Sequence, residues 1–367
     1  MDFKFRLGTV IYFGKDCLKI NSDELVNIGN KALIVTGKSS AKLSGALDDV
    51  IEILRKNNIT YEIFDRVENN PSVENVAEGS KIARSFGAEF IIGIGGGSPL
   101  DAAKAIAVLC TNDIDPSELF TNIFKNKMLP VICVPTTAGT GSEVTPYSIL
   151  TKKDISSKKS FGNDETFPHK SFLDPTYTES MSYDLTVSTA ADTLSHAIEG
   201  YLTKRSTPVS DILALEVLKI FGESIGRLTE NKIDYELRER LLYIAMLGGI
   251  VISQSGTTIV HGMGYSLTYF KGVPHGYANG VLLKEFLRFN YDYAKNKIDN
   301  ILKIMGIKSI DDFGKMIDTL FKRKISVNDD EIKTFSEILM KHPSISTNAR
   351  KVKFDDVMKL FSESLRG

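Results

Sequence analysis

The chain is poor in cysteine, with three in 367 residues, and no two of them are close enough to form a CxxC pair. Cys17, Cys110 and Cys133 are widely spaced and odd in number, which gives no sign of a disulfide framework. A chain of this length can bury a full core without such cross-links. The pattern indicates a reduced, cytoplasmic protein in which each cysteine is a small buried apolar residue.

Long apolar runs are also missing, because none reaches the ~20 residues that a bilayer-spanning helix needs. The longest apolar window, residues 241–253, is interrupted by glycine and polar side chains. Residues 1–7 carry charges at Asp2, Lys4 and Arg6 with no apolar region behind them, so we expect no signal peptide. We therefore expect no membrane partner.

The chain has no excess of charge of either sign, because 45 Lys and Arg face 46 Asp and Glu. The net charge of −1 argues against a nucleic-acid partner, which would favour a basic surface, and against an acidic disordered protein. The apolar fraction of 42% and the charged fraction of 25% are typical of a soluble enzyme. At about 100–200 residues per domain, the length predicts two domains, with room for a third.

Short β-branched runs alternate with amphipathic stretches up to about residue 180. Buried parallel strands are predicted at 32–36, 61–64, 90–94 and 131–135, and helices at 39–57, 72–86 and 99–109. Ser72 suits a helix N-cap, Gly87 a helix end, and Pro99 a first helical position. Residues 3–13 are typical of an edge strand or a hairpin. The alternation predicts an α/β domain with a Rossmann-like parallel sheet over residues 1–180.

The pattern changes after about residue 180, where strand-like runs become scarce. Helical periods occupy residues 185–202, 208–225, 235–254, 278–290 and 330–341. We therefore predict an all-α domain over residues 181–367.

Two loops at predicted strand ends are rich in glycine or in hydroxyl groups. The first, Gly95 to Ser98, precedes a helix whose N-terminus offers unpaired N–H groups, with Asp101 in its first turn. It is neither a GxGxxG motif nor a P-loop. The second, residues 135–143, carries four hydroxyls and two glycines. Because ligands bind beyond the carboxyl ends of parallel strands, the loops suggest one nucleotide site; a tight turn and a solvated loop are the alternatives.

Histidine is scarce, and the five present are His169, His196, His261, His275 and His342. Asp192 precedes His196 by four positions in a helical stretch, which puts both on one helix face. We expect His261 to end an apolar helix and His275 to lie at the entry to another. One carboxylate and three imidazoles suit Fe(II), Zn(II), Mn(II) or Co(II). Spacing leaves open whether they converge or are ordinary core or surface residues.

Six motifs in a fixed order are similar to those of one known family. They are GGGS with P-x-D after it (95–101), PTTAGTGSEVT (135–145), LDP (173–175), ADTLSHAIE (191–199), HGMG (261–264) and PHG (274–276). On these motifs the chain resembles, over essentially its whole length, the iron-containing (group III) alcohol dehydrogenases. The resemblance implies a dinucleotide-binding domain over 1–180, a metal-binding helical domain over 181–367, and an active site in the cleft between them.

The resemblance also implies individual roles. The implied metal ligands are Asp192, His196, His261 and His275, through which the metal acts in catalysis. The implied cofactor contacts are Gly96, Gly97, Ser98 and Asp101 at the pyrophosphate, then Asn70, Thr136, Thr137 and Thr140. A lysine near the nicotinamide ribose corresponds to Lys158 or Lys159, with Lys158 favoured. Tyr265 stands where many members have histidine, so it is either a pocket wall or a proton donor. His169 and His342 match nothing in the family and are predicted at the surface.

Selectivity between NAD(H) and NADP(H) usually depends on an acidic residue at a strand end. At the family position this chain has Gly37, followed by Lys38, Ser39 and Ser40. No carboxylate is present to repel a 2′-phosphate, and a lysine and two hydroxyls could bind it, so we expect NADP(H) to be favoured. A glycine that merely ends the strand would leave either cofactor usable. The resemblance implies Fe(II), with Zn(II) as the alternative.

The implied activity is that of an NAD(P)-linked alcohol dehydrogenase in which the metal polarises the substrate oxygen during hydride transfer. Residues 247–269 are mostly small and apolar and contain no Lys or Arg, which favours small primary alcohols or diols and their aldehydes, such as butanol or 1,3-propanediol. The alternatives are a glycerol-dehydrogenase-like or dehydroquinate-synthase-like enzyme on the same scaffold, and a non-catalytic NADP- or metal-binding module. Residues 3–13 could pair across a two-fold axis, so we expect a homodimer.

Overall fold

The protein is described by a computed structural model that covers residues 2–155, 157–321 and 324–366. The chain divides into two compact units. We call Leu7–Met181 the N-terminal unit, and Ser182–Gly367 together with Met1–Arg6 the C-terminal unit.

The N-terminal unit is built on a six-stranded sheet in which all paired strands are parallel. The strands of the unit are β1 (Val10–Phe13), β2 (Lys31–Thr36), β3 (Thr60–Phe64), β4 (Phe90–Gly95), β5 (Val131–Pro135), β6 (Ser148–Lys152), β7 (Ser157–Phe161) and β8 (Lys170–Leu173). The sheet order is β1-β8-β5-β4-β2-β3, while β6 and β7 form a separate antiparallel pair. The four predicted strands are confirmed. The N-terminal segment forms a short parallel edge strand, not a hairpin.

Six α-helices accompany this sheet in the described part of the unit. They are α1 (Cys17–Ile20), α2 (Asp23–Val26), α3 (Ser40–Leu43), α4 (Ala46–Lys56), α5 (Val73–Phe86) and α6 (Gly97–Thr111). Ser72 caps α5 through its side chain and Gly87 ends it, as predicted. The helix predicted over 39–57 is broken, because Gly45 adopts a positive φ of 82°. Pro99 is the third residue of α6 and not its first, because Gly96 takes the N-cap position.

Both faces of the parallel sheet are covered. In β2, Leu33 and Val35 belong to the core on one face, whereas Ala32 and Ile34 belong to the core on the other. Strands that are buried on both faces require apolar side chains at successive positions, which explains the continuous apolar runs of the sequence. Cys133 lies in this interior, and burial raises the pKa of its thiol to about 12.

The C-terminal unit is helical, with no strand among its described residues. Its helices are α7 (Tyr183–Leu202), α8 (Pro208–Thr229), α9 (Tyr235–Ser255), α10 (Ile259–Lys271), α11 (His275–Gly280), α12 (Leu283–Ile304), α13 (Ile310–Leu320), α14 (Asp329–Met340) and α15 (Phe354–Arg366). The helix predicted over 278–290 is two helices, since α11 ends at Gly280 before α12 begins. Helix α7 packs against α8, α9 and α11.

The predicted fold class is confirmed: a parallel α/β unit is followed along the chain by a helical one. In the described residues no single helix is long and apolar enough to cross a membrane. One bent pair, α9 with α10 at 114°, meets the length and composition criteria.

Candidate active site

Three helices of the C-terminal unit bring four side chains to one point. Helix α7 carries Asp192 and His196, α10 carries His261, and α11 begins with His275. The Nε2 atoms of the three histidines lie 3.9, 3.7 and 3.8 Å from Oδ1 of Asp192. His261 is the third residue of α10, so the expectation that it ends a helix was wrong.

The donor atoms of Asp192, His261 and His275 have a spacing that fits one metal ion, while His196 lies outside this group of three and approaches it through Oδ1 of Asp192. Ligand atoms that each bind at ~2.1 Å to a tetrahedral or octahedral ion lie ~3–4 Å from one another. The donor atoms of Asp192, His261 and His275 lie within 4.8 Å of one another. Three imidazoles and one carboxylate form a donor set that suits Fe(II), Zn(II), Mn(II) or Co(II). The side chains of Asp192, His196 and His261 are 4% exposed and that of His275 is 23% exposed, so solvent reaches the cluster beside His275.

Two members of the cluster, His196 and Asp192, are held in the protonation states that bind metals. Burial, aided by the neighbouring His261 and opposed by Asp192, lowers the pKa of His196 to about 4. Burial alone would raise the pKa of Asp192, but the three histidines and a hydrogen bond from Asn279 keep it below its ordinary value. A neutral imidazole and an ionised carboxylate are the forms that metal ligation requires.

Two further side chains support this cluster, and the sequence reasoning gave neither of them a role. Glu199 is fully buried; its Oε1 accepts hydrogen bonds from the backbone N–H and the hydroxyl of Thr258, and its Oε2 contacts Nδ1 of His261. Nδ2 of Asn279 donates to Oδ1 of Asp192 at 2.9 Å. Helical spacing could have found both, since Glu199 lies seven positions after Asp192 and Asn279 lies four after His275.

Gly276 explains why the PHG motif needs its glycine. A Cβ atom at this position would lie 1.8 Å from the carbonyl oxygen of Ser188 in α7. Any larger residue would push α11 away from α7, and His275 would move with it.

Tyr265 and His342 lie at the edge of the cluster. The ring of Tyr265 stacks on that of His275 with centroids 5.4 Å apart, and it meets His342 edge-on at 5.8 Å. His342 is half-buried, and its Nδ1 lies 2.8 Å from Oγ of Ser344. Its prediction as a surface residue was therefore wrong, whereas His169 is exposed as predicted.

In the N-terminal unit, the two glycine- and hydroxyl-rich loops lie side by side. The backbone N–H of Thr136 donates to the carbonyl of Gly95 at 2.8 Å. A Cβ atom on Gly96 would lie 3.2 Å from Thr137, and one on Gly97 would lie 2.8 Å from Thr140. The glycines therefore let the N-terminus of α6 pack against the threonine loop.

Three more of the expected cofactor residues lie together in this unit. The backbone N–H of Asn70 donates to Oγ of Ser98 at 3.1 Å, and Nζ of Lys158 donates to Oδ1 of Asn70 at 2.7 Å. Gly37 follows β2, and Lys38 and Ser39 after it are exposed.

The carboxylate of Asp101 faces the protein interior. Its Oδ1 accepts a hydrogen bond from Ser142 and its Oδ2 accepts one from the backbone N–H of Ile149 at 3.0 Å. Beside it the buried Lys104 donates to Oγ of Ser142 at 2.8 Å and to two backbone carbonyls. Asp101 thus ties α6 to the segment that follows the threonine loop, and Lys104 is a contributor that the sequence reasoning missed.

A parallel α/β unit with paired glycine- and hydroxyl-rich loops, together with a helical unit that carries a metal-ligand donor set, is typical of metal-dependent enzymes that use a nucleotide cofactor. Two family models match the chain: iron-containing alcohol dehydrogenase over residues 8–175, and the C-terminal domain of the Fe-containing alcohol dehydrogenase family over residues 186–365. The chain belongs to the iron-containing alcohol dehydrogenase family. It is a metal-dependent oxidoreductase acting on alcohols and aldehydes, as the motifs predicted.

Known relatives agree with this placement. The crystal structure of an iron-containing alcohol dehydrogenase from Thermotoga maritima is 38% identical, covers 100% of both chains and has a TM-score of 0.94. NADH-dependent butanol dehydrogenase B of Clostridium acetobutylicum is 32% identical over 84% of this chain and 80% of its own length. NADPH-dependent butanol dehydrogenase of Clostridium saccharobutylicum is 29% identical over 98% of this chain and 97% of its own length.

Proposed function

We propose that the protein interconverts small primary alcohols or diols and their aldehydes, with Fe(II) held by Asp192, His196, His261 and His275 and with NADP(H) as the hydride carrier. The observation that carries the proposal is the approach of three histidine Nε2 atoms to within 4 Å of Oδ1 of Asp192. The names of two relatives as butanol dehydrogenases support the substrate class. When bound, the ion would act as a Lewis acid on the substrate oxygen.

The chain's own residues supply the charge balance for this reaction. Three neutral imidazoles and one carboxylate contribute a single negative charge, so a divalent ion would leave the site at about +1. A site of that charge favours a substrate oxygen on which negative charge develops. Residues 247–269 contain no Lys or Arg, which suits an uncharged alcohol better than an anionic substrate.

For the dinucleotide, we propose contacts from the paired loops of the N-terminal unit. The N–H groups at the start of α6, beside Gly96 and Gly97, suit a pyrophosphate because a helix N-terminus attracts anions. Lys158 and Asn70, joined by a hydrogen bond, suit the nicotinamide ribose.

The proposal also specifies NADP(H) in preference to NAD(H), on the basis of the residues that follow β2. A Cβ atom at Gly37 would lie 3.7 Å from the carbonyl of Val67, an ordinary contact, so packing does not explain why a carboxylate is missing there. Lys38 and Ser39 are exposed and available to a 2′-phosphate. One butanol dehydrogenase relative is named NADH-dependent and another NADPH-dependent. Membership of the family therefore does not determine the cofactor preference, and the proposal depends on Gly37, Lys38 and Ser39.

We also propose a cytoplasmic homodimer. Cys17, Cys110 and Cys133 are free thiols, which suits a reducing compartment. Strand β1 lies at the edge of the parallel sheet with Val10 exposed, and an edge strand favours pairing with a second copy. Light scattering after size exclusion tests the dimer, and a monomeric mass would contradict it.

The experiment for the activity is anaerobic purification, metal analysis and butanal reduction with NADPH and with NADH, with and without added Fe(II). We expect iron-dependent turnover with NADPH preferred. Equal turnover with the two cofactors would contradict the Gly37 argument alone. Absence of turnover with a fully loaded site would contradict the substrate class and direct attention to glycerol and to anionic substrates.

A further inference from the structure

Glu199 lies on the same face of α7 as two of the metal ligands. It follows Asp192 by seven residues and His196 by three, which is helical spacing. Its side chain is fully buried, and both carboxylate oxygens are engaged. A buried carboxylate is costly unless it is compensated, so these contacts account for its presence in the interior.

One carboxylate oxygen of Glu199 caps helix α10. Oε1 accepts the backbone N–H groups of Thr258 at 2.7 Å, Val260 at 3.1 Å and His261 at 3.4 Å. Thr258 occupies the N-cap position, but its side chain makes no capping hydrogen bond to the helix and donates to Glu199 instead. An anion at a helix N-terminus is favourable, so Glu199 supplies from α7 the cap that α10 lacks locally.

The other carboxylate oxygen of Glu199 fixes the orientation and the tautomer of the His261 ring. Oε2 contacts Nδ1, and Nε2 on the opposite side of the ring faces Oδ1 of Asp192 at 3.7 Å. A carboxylate accepts a hydrogen bond, so the ring proton stays on Nδ1 and the Nε2 lone pair is left for a metal. The neighbouring His196 differs, because its Nδ1 has no hydrogen-bond partner among the described residues.

We infer that Glu199 is the positioning residue of the metal centre: it fixes the tautomer and the direction of His261, and thereby sets the affinity for the metal. The inference rests on the metal site of the proposed function. It goes beyond that function because it assigns two tasks to one carboxylate. Glu199 caps the N-terminus of α10 and also orients His261, the metal ligand that α10 carries. Removing an outer partner of a metal-bound histidine typically weakens metal binding 10–100-fold.

The test is Glu199→Gln in metal-free protein, with Zn(II) and Co(II) affinities measured by competition with a chromophoric chelator. A glutamine can still accept the α10 N–H groups through its carbonyl, but its amide donates to Nδ1 and forces the ring proton onto Nε2. We expect affinity to fall about 10–100-fold while the circular dichroism and the melting of the metal-free protein stay near wild type. The Co(II) absorption spectrum should also change, which a purely structural role would not produce.

The matched control is Glu285→Gln, a second buried glutamate of the C-terminal unit that pairs with Arg288 at 2.7 Å and not with a metal ligand. Its metal affinity should equal that of wild type. Unchanged affinity in Glu199→Gln would overturn the positioning role and leave the proposed function standing. Failure of the wild-type protein to bind Zn(II) or Co(II) would overturn the proposed metal centre itself.

If Glu199→Gln does not fold, the tautomer of His261 can still be measured by NMR in the wild-type protein. In metal-free protein labelled with ¹⁵N-histidine, the shifts of the His261 ring nitrogens report its tautomer, with His261→Gln providing the assignment. We expect the proton on Nδ1. A proton on Nε2 would overturn the inference.

Discussion

The replacement of Lys104 by methionine probes the buried network that joins α6 to the threonine loop. Lys104 is fully buried, and its ammonium donates to Ser142 Oγ at 2.8 Å and to the carbonyls of Thr145 at 3.1 Å and Tyr147 at 2.6 Å. Its Nζ also lies 3.7 Å from the carboxylate of Asp101. Methionine fills a similar volume but removes every one of these polar contacts.

We expect Lys104→Met to lower the free energy of unfolding because it leaves a buried carboxylate without its cationic partner. The carboxylate of Asp101 would remain buried, with Ser142 and the N–H of Ile149 as its hydrogen-bond partners among the described residues. Removing one member of a buried ion pair costs about 3–5 kcal/mol, because the other charge is left uncompensated. Against a typical free energy of unfolding of about 5–15 kcal/mol, this is a large fraction.

Urea unfolding of the wild type and of Lys104→Met measures this cost, with the exposed Lys81→Met on α5 as the control, expected within about 0.5 kcal/mol of wild type. The double variant Asp101→Asn with Lys104→Met should lose less than the sum of the two single changes, because no unpaired charge remains. A loss below about 1 kcal/mol for Lys104→Met, or strict additivity in the double variant, would refute the reasoning.

Three further predictions concern cofactor, metal and pH. Gly37→Asp should lower the ratio of kcat/KM for NADPH over NADH at least about 10-fold by repelling the 2′-phosphate, and an unchanged ratio would exclude this position as the selector. His261→Ala should abolish metal binding and turnover while fluorescence titration still detects NADPH binding; normal turnover would contradict the ligand assignment. Burial raises the pKa of Glu143 to about 7 from an ordinary 4.5, so its folded form takes up a proton that the unfolded chain releases. The free energy of unfolding should therefore fall as pH rises from ~4.5 to ~7, by roughly 3 kcal/mol from this group, and Glu143→Gln should remove that dependence in urea titrations at several pH values.

Strands and helices were predicted correctly from the sequence where a local pattern of residues determines burial or a helix end. The strands at 32–36 and 131–135 are buried on both faces, so their apolar runs are unbroken and could be recognised directly. Helix α5 begins at a capping Ser72 and ends at Gly87 because both residues act locally. The start of α10 could not be placed in this way. The helix predicted over 235–254 matches α9, but α10 has no capping side chain of its own at Thr258, and His261, its third residue, was expected at a helix end.

The parts of the site that depend on contacts between distant segments of the chain could not be predicted from local sequence patterns. Spacing placed Asp192 and His196 on one face, but it could not bring α10 and α11 to that face; only the resemblance suggested the full set. His342 has no local signal, since its place beside Tyr265 comes from a contact 77 positions away along the chain. Lys104 carries a charge that sequence patterns assign to the surface, and only its hydrogen bonds explain its burial.

The central claim is that Asp192, His196, His261 and His275 hold one metal ion on which alcohol–aldehyde interconversion depends. The most direct measurement is an anaerobic titration of metal-free protein with Fe(II), following butanal reduction by NADPH. The account predicts a linear rise in rate that stops at one ion per chain, and no rise in His261→Ala. Full turnover without metal, or a rise that passes one ion per chain without a break, would contradict it.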